Sequence, residues 1–250
     1  MLATLYAVAV YLFFLATMAF AVGFIANLPG LPVTLDRGLV APLAEALVVD
    51  VGLLLLFAVQ HSVMARRGFK HWWTRLVPPR AERATFVLAS TAVFVLLMAQ
   101  WRPIAEPVLW SVQQPVARGV LLAMSGAGWV LVVVGSWLID HFEMFGLRQP
   151  WAAWRGHDLP SARFRTPLLY RQVRHPIYLG FLIAFWVTPD LTVGHALFAA
   201  GNTAYILVGV AFEERDLIAQ FGERYRAYRE RVGMLWPRLG ARRPDKSTPT

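Results

Sequence analysis

The residues with the clearest chemical potential lie near the C-terminal end of the chain. They form three motifs: the heptapeptide RHPIYLG (Arg174–Gly180), the pair Glu213-Glu214, and the octapeptide FGERYRAY (Phe221–Tyr228). Charged groups beside membrane-length apolar runs are costly, so they are retained mainly where they serve a function. The three motifs therefore indicate one candidate site.

The order of the motifs predicts that their polar groups meet at one membrane surface. Pro176 restricts His175 to extended backbone geometry and suits the first turn of a helix, so His175 and Arg174 are expected at a helix mouth. Glu213 and Glu214 follow the second arm of the same predicted hairpin, which returns to that surface. Adjacent carboxylates there require a cation or water, and a sulfonium or ammonium group would satisfy one of them.

Aromatic side chains could add cation–π contacts to such a ligand. The candidates are Tyr178, Trp186, Tyr205, Tyr225 and Tyr228. Two plainer interpretations stay open: basic residues and histidine are ordinary at membrane interfaces, and acidic residues are favoured in the first turn of a terminal helix.

The composition places these motifs in a membrane protein. Of 250 residues, 57% are hydrophobic and only 16% are charged, whereas soluble domains carry about 25% charged residues. The net charge of +9 comes mostly from Arg and Lys that flank apolar segments, which favours anionic lipid rather than nucleic acid as the partner. The chain has no cysteine, which excludes disulfides, thiolate metal sites and a covalent cysteine mechanism.

The apolar runs predict an all-α, polytopic transmembrane helical bundle. Four full spans are expected at about 2–25, 43–64, 84–101 and 119–139, followed by a helical hairpin at 176–188 and 191–212, tilted or partly re-entrant. An amphipathic cytoplasmic helix is predicted from 213 to 232. This divides the chain into a scaffold (1–139), a site region (140–237) and a disordered tail (238–250).

The distribution of basic residues predicts the orientation. Arg and Lys concentrate in 65–83, 140–174 and the C-terminal region, whereas 26–42 and 102–118 hold few. By the positive-inside rule, both termini face the cytoplasm. The first apolar run lacks the basic start of a signal peptide, so we interpret it as a retained transmembrane helix.

Two further polar clusters could take part in chemistry. His61 follows Gln60 inside the second predicted span, and Asp140-His141-Phe142-Glu143 follows the fourth. An intramembrane histidine is a functional candidate by default, although an interhelical hydrogen bond would also explain it. A hydrated helix end is the corresponding alternative for His141. No spacing indicates a metal site.

The C-terminal motifs as a set resemble the isoprenylcysteine carboxyl methyltransferase superfamily of membrane enzymes. The resemblance covers about residues 170–237 and implies S-adenosylmethionine bound at the cytoplasmic face. It implies contacts to this cofactor from Arg174, His175, Tyr178 and Gly180, from Glu213 and Glu214 at its amino-acid or ribose end, and from Arg224 and Tyr228, which would close the pocket. A related motif occurs in NADPH-dependent sterol-type reductases.

Three other stretches resemble the bacterial methanethiol S-methyltransferases and related NnrU-like membrane proteins. They are AVQHSVMAR (58–66), WRPI (101–104) and DHFEMFGLRQ (140–149). The resemblance implies a bacterial inner-membrane enzyme that methylates a small volatile thiol, methanethiol, to dimethyl sulfide. A thiol reacts as its thiolate, so a base is useful, and His141 or His61 is the candidate, with Asp140 and Glu143 beside the former.

The sequence leaves three alternative functions open. A prenylated or lipid-like molecule could be the methyl acceptor, which would require a wide lateral opening between helices. An NADPH-dependent membrane reductase would require basic residues for a 2′-phosphate. A non-enzymatic, NnrU-like accessory protein would bind no methyl donor.

Overall fold

Long apolar runs form most of the helices, as expected where backbone hydrogen bonds must be satisfied away from water. The computed structural model describes residues 1–157 and 164–238. Within these ranges the α-helices are α1 (Leu2–Ile25), α2 (Leu43–Ala65), α3 (Arg67–Trp73), α4 (Pro79–Gln100), α5 (Pro115–Ile139), α6 (His141–Met144), α7 (Arg148–Arg155), α8 (Pro176–Trp186), α9 (Val193–Phe221) and α10 (Glu223–Arg231). In this part of the chain α1, α2, α4, α5 and α9 are long and apolar enough to span a membrane. The predicted fold class, an all-α multi-pass membrane protein, is confirmed.

Two helices begin earlier than predicted because proline opens them. Pro79 begins α4 and Pro115 begins α5, each at a first-turn position. Proline has no N–H to leave unpaired there, and its fixed φ suits the first helical turn. The apolar run alone places the start of α4 at residue 84, five residues after its observed start at Pro79.

The boundary near the carboxylate pair was also predicted wrongly. A separate charged helix was expected from residue 213, but α9 continues to Phe221 and α10 begins at Glu223. The break is Gly222, whose φ of 56° and ψ of −130° suit glycine. Glu213 and Glu214 therefore lie inside α9. The predicted disordered tail lies outside the described residues, apart from Arg238.

The first arm of the C-terminal hairpin crosses the bundle as a helix followed by an extended segment. With 11 residues, α8 covers about 16 Å. The chain then continues into strand β2 (Asp190–Thr192), which pairs antiparallel with β1 (Val108–Ser111). The Asp190 carboxylate lies 2.7 Å from Arg118, near the start of α5. We did not predict these strands, which supply backbone partners to an otherwise unpaired extended segment.

Small residues fix α8 against α5. A Cβ atom at Gly128 would lie 2.7 Å from the Gly180 carbonyl oxygen, and one at Gly180 would lie 2.6 Å from that of Gly128. The Ser125 hydroxyl donates to the Ala184 carbonyl at 3.1 Å. Such close contact between small residues is a principal source of helix association in membranes, and here it sets the position of α8.

The long helices pack in a sequence of neighbours. Helix α1 packs on α4, α4 on α2, α2 on α9, α9 on α8 and α8 on α5. The Tyr11 hydroxyl in α1 also contacts His141, the first residue of α6 and two residues after α5, at 2.7 Å. We call the side of the bundle that holds the start of α1 and the end of α5 the termini face.

The main apolar core lies towards the opposite face. It contains Phe24, Leu97, Trp101 and Phe198, and the Trp101 indole donates to the Leu35 carbonyl at 3.1 Å. The termini face instead holds the end of α2, where the Arg66 guanidinium lies 3.9 Å from the Phe212 ring centroid. The half of the bundle towards the termini face is therefore where the candidate site residues lie.

The α5–α8 contact makes a testable prediction about stability. Gly128→Ala should destabilise the folded protein by about 1–3 kcal/mol, because the added methyl group meets the α8 backbone. Gly126→Ala is the matched control, since a Cβ atom there meets nothing within 4 Å. Thermal unfolding in detergent measures both variants. Equal melting temperatures for the two would contradict this account of the contact.

Candidate active site

A buried carboxylate, Glu214, organises the C-terminal motifs. Its Oε1 accepts a hydrogen bond from Arg174 Nε at 2.7 Å and lies 3.1 Å from His175 Nε2. Its Oε2 lies 3.3 Å from Arg229 Nε. Glu214, Arg174 and His175 are each less than 10% exposed. The cation that Glu214 requires is therefore supplied by the protein itself.

The segment after α10 holds Arg174 in place. The Arg174 backbone N–H donates to the Gly233 carbonyl at 2.8 Å. The Arg174 guanidinium donates to the Arg229 carbonyl at 3.1 Å and to the Val232 carbonyl. The next N–H, of His175, donates to the Met234 carbonyl at 3.1 Å. The C-terminal segment therefore closes on the helix mouth and completes it.

Glu213 differs sharply from its neighbour. Its side chain is 44% exposed and lies 3.8 Å from His175 Nδ1, and it accepts a hydrogen bond from the Tyr178 hydroxyl at 2.9 Å. The rings of His175 and Tyr178 stack with centroids 5.5 Å apart. Glu213 is thus an accessible carboxylate beside two aromatic faces, an arrangement suited to a cationic ligand.

An aromatic cover lies over this region. The rings of Tyr225 and Tyr228 are 5.9 and 5.4 Å from that of Phe164. The Tyr228 hydroxyl donates to the Tyr170 carbonyl at 2.5 Å, and burial raises the pKa of Tyr228 to about 12. Burial also raises the pKa of Tyr225, whose buried hydroxyl finds no hydrogen-bond partner among residues 1–157 and 164–238. This unpaired hydroxyl is a candidate ligand contact.

Two predicted cofactor residues have other surroundings. Gly180 lies against Gly128 in α5 and serves helix packing. Arg224 is exposed, with its guanidinium 6.0 Å from the Phe164 ring centroid, at the edge of the aromatic cover. We call Glu214 and its partners Arg174, His175 and Arg229 the Glu214 cluster. The other predicted cofactor residues belong to this cluster or lie around it: Arg174, His175, Tyr178, Glu213, Glu214 and Tyr228.

His141 is buried and has hydrogen bonds to both ring nitrogens. Ser136 donates its hydroxyl proton to the Val133 carbonyl at 2.7 Å, so it accepts from His141 Nδ1 at 2.8 Å. The other nitrogen, Nε2, accepts from the Tyr11 hydroxyl at 2.7 Å. Burial lowers the pKa of His141, which agrees with a neutral ring. Trp137 stacks on this ring at 4.7 Å.

The acidic neighbours of His141 do not orient it. The Asp140 carboxylate accepts from the Glu143 N–H at 3.1 Å and so caps α6. Arg148 binds Asp140 and lies 3.3 Å from the Glu143 carboxylate. These residues stabilise the turn after α5, whereas Ser136 and Tyr11 fix the imidazole.

His61 has the opposite character. Its ring lies among the rings of Phe86, Phe57 and Tyr205, with centroids 4.9, 5.5 and 6.1 Å away. Its Nδ1 is buried and finds no hydrogen-bond partner within the two described ranges. The neighbouring Gln60 amide donates to Ser90 at 3.4 Å.

The two histidines flank one aromatic cluster. Phe86, next to His61, and Phe145, whose ring is 4.7 Å from that of His141, belong to the same apolar cluster. Sequence reasoning missed Tyr11 and Ser136 because each lies within an apolar span. Their polar side chains inside such runs were the available signal. No group of three or more potential metal ligands occurs in 1–157 or 164–238.

Comparison with known proteins decides the family. A Mycobacterium tuberculosis protein named methanethiol S-methyltransferase is 51% identical over 236 residues, which cover 94% of this chain and 96% of that protein. Methanethiol S-methyltransferase 2 of Bradyrhizobium diazoefficiens is 49% identical over 247 residues, covering 98% and 94%. The chain belongs to the methanethiol S-methyltransferase family. The resemblance predicted from 58–66, 101–104 and 140–149 is confirmed.

Human Nurim is a more distant relative of this methyltransferase family member. It is 32% identical over 189 residues, which cover 73% of this chain and 70% of Nurim. No family model and no solved structure matches the chain.

We predict that the stability of this protein depends on pH through the buried side chain of His141. Because the folded-state pKa of His141 is lowered from 6.5, the unfolded chain binds a proton that the folded protein excludes. Stability is therefore full above about pH 6.5 and declines as the pH falls through the lowered pKa. His141→Asn should flatten this decline, measured as melting temperature between pH 8 and 5.

Tyr11→Phe should lower stability by about 1 kcal/mol through the lost hydrogen bond. Tyr6→Phe is the comparison for pH dependence. It removes a 3.0 Å hydrogen bond from the same helix to Thr85, so it should cost a similar amount of stability but leave the pH dependence unchanged, because no histidine is involved. An unchanged pH profile in His141→Asn would show that another group causes the decline.

Proposed function

We propose that this protein transfers the methyl group of S-adenosylmethionine to methanethiol and so forms dimethyl sulfide. The observation that carries the proposal is a sequence identity of 46–51%, over 94–98% of this chain, to proteins named methanethiol S-methyltransferase. The arrangement of polar groups at the termini face supports it.

The residues present fit a cationic methyl donor. Glu213 would meet its positive charge, with the faces of Tyr178 and His175 beside it. The Tyr225 hydroxyl, which has no hydrogen-bond partner among residues 1–157 and 164–238, offers a further polar contact, and Tyr228 and Phe164 would cover the ligand. When bound, the donor supplies a methyl group on a positively charged sulfur, which needs no nucleophile from the protein.

The protein would contribute position and a base. Displacement at carbon depends on near-attack geometry, which a site between rigid helices provides. A thiol attacks as its thiolate, so a neutral imidazole near the acceptor would raise the rate. His61 and His141 are the candidates, and Asp140 and Glu143 would act only by shaping the turn around His141.

The proposed cellular location is the bacterial inner membrane with both termini in the cytoplasm. The basic segments 65–83 and 140–174 follow α2 and α5, which both end at the termini face. This agrees with the positive-inside rule and with contact to anionic lipid. In this arrangement residues 1–139 act as the scaffold and 140–237 hold the donor site.

The decisive experiment is headspace detection of dimethyl sulfide from cells that express the protein and receive methanethiol. Purified protein should also bind S-adenosylmethionine but not NADPH. Cells without dimethyl sulfide, although the protein is present and folded, would refute the proposed acceptor. Preferential NADPH binding would favour a reductase, and no binding of either would favour an accessory protein.

The paired carboxylates predict different outcomes for the same substitution. Glu213→Gln should weaken S-adenosylmethionine binding about tenfold, or roughly 1.4 kcal/mol, with little change in melting temperature because this side chain is half-exposed. Glu214→Gln should destabilise the fold by about 3 kcal/mol, because Arg174 loses its buried counter-charge. Calorimetric binding and thermal unfolding measure the two effects. Unaltered donor affinity in Glu213→Gln would count against this donor site.

A further inference from the structure

Three helices place aromatic rings around His61. Phe57 comes from α2 itself, Phe86 from α4 and Tyr205 from α9, with ring centroids 5.5, 4.9 and 6.1 Å from the imidazole. Phe57 and Tyr205 also contact each other at 6.0 Å. We call this group of four rings the His61 niche.

Two buried polar atoms at the niche lack hydrogen-bond partners in the part of the chain that the structure describes. His61 Nδ1 is buried without a hydrogen bond to any residue of 1–157 or 164–238, and the same holds for Gln60 Oε1 beside it. Leaving a buried polar atom unpaired is costly, and native proteins rarely do so without a functional reason. A ligand with a polar hydrogen would satisfy Nδ1.

His141 does not offer such a nitrogen. Its Nδ1 donates to Ser136, and its Nε2 already accepts from the Tyr11 hydroxyl. A thiol proton could reach this ring only after Tyr11 gave up its hydrogen bond. Between the two histidines, the unoccupied nitrogen belongs to His61.

The niche also lies close beneath the proposed donor site. Arg66, five residues after His61 in the chain, contacts Phe212, the residue before Glu213. At about 1.5 Å per helical residue, His61 lies roughly 7–8 Å deeper in the bundle than this contact. Helices α2 and α9 touch along this stretch through Tyr205, against Phe57 and His61, and through Phe212, against Arg66, so a donor held at Glu213 would have the niche below it.

We propose that the His61 niche is the thiol pocket and that His61 is the general base, a role that rests on the proposed methyl transfer. His61 Nδ1 takes the proton as the S–H bond of methanethiol breaks. The sulfur electron pair forms the new S–C bond, and the donor's C–S bond breaks with its electrons, which leaves a neutral thioether. Phe57, Phe86 and Tyr205 limit the alkyl group of the acceptor to a small size.

Substitution of the base provides the first test. His61→Gln and His61→Ala should each lower kcat about hundredfold at pH 7 while S-adenosylmethionine affinity stays within twofold. The loss should shrink as the pH approaches the pKa of the acceptor thiol, because the thiolate then forms without a base. A merely structural role would not give this pH rescue. His71→Ala is the comparison, because His71 is exposed and lies outside the niche, and it should keep kcat within a few-fold.

Substitution of the wall provides the second test. Phe57→Val should raise the ratio of kcat/KM for ethanethiol over methanethiol about tenfold, since one methylene in an apolar pocket is worth roughly that factor. Phe181→Val is the matched control, because the Phe181 ring contacts those of Trp129 and Phe185, where α8 meets α5, rather than the rings of the niche.

The outcomes separate the niche from the proposed function. If the wild type forms no dimethyl sulfide, the proposed function falls and the thiol pocket falls with it. Suppose instead that the wild type is active and that His61→Ala is folded and binds the donor. If this variant keeps full kcat, only the assignment of His61 as the base is overturned. If Phe57→Val and Phe181→Val change the ratio of kcat/KM for ethanethiol over methanethiol equally, the assignment of Phe57 to the wall of the thiol pocket is overturned.

Discussion

The buried ion cluster around Glu214 is the interaction on which the rest of the site depends. Transfer of a carboxylate and a guanidinium out of water costs several kcal/mol for each ion and is offset only by good geometry with further hydrogen bonds. Here one carboxylate meets Arg174, His175 and Arg229, and Arg174 also donates to two carbonyls at the end of α10. The cluster therefore joins the mouth of α8, the interior of α9 and the end of α10 into one unit.

This cluster also explains how adjacent, identical residues take different roles. Consecutive residues on a helix point about 100° apart, so once Glu214 faces the buried arginines, Glu213 faces the His175–Tyr178 pair. Its carboxylate stays half-exposed. The position of Tyr178 depends in turn on α8, which close contact between Gly128 and Gly180 fixes against α5. A site for a cation is thus held by contacts that the ligand does not touch.

The sequence predicted those features that depend on local pattern. Apolar runs gave the existence of the spans, and the His175-Pro176 and Glu213-Glu214 motifs gave the location of the site. Features that depend on distant partners were missed. Arg174 and Glu214 are 40 residues apart, and Tyr11 and His141 are 130 residues apart, so no local pattern could show that these groups satisfy each other. The β1–β2 pairing was missed for the same reason.

Three histidines on the same side of one bundle show how hydrogen-bond partners decide what a side chain can do. His175 lies between the carboxylates of Glu213 and Glu214, one near each ring nitrogen. His141 is held by two hydroxyls as a neutral ring in one tautomer. His61 retains a buried nitrogen that no described residue satisfies. Where lipid and packed helices exclude water, an unsatisfied polar atom has few other possible partners. At His61 the aromatic walls from three helices give this atom a defined surrounding, and the two observations together favour a small polar ligand there.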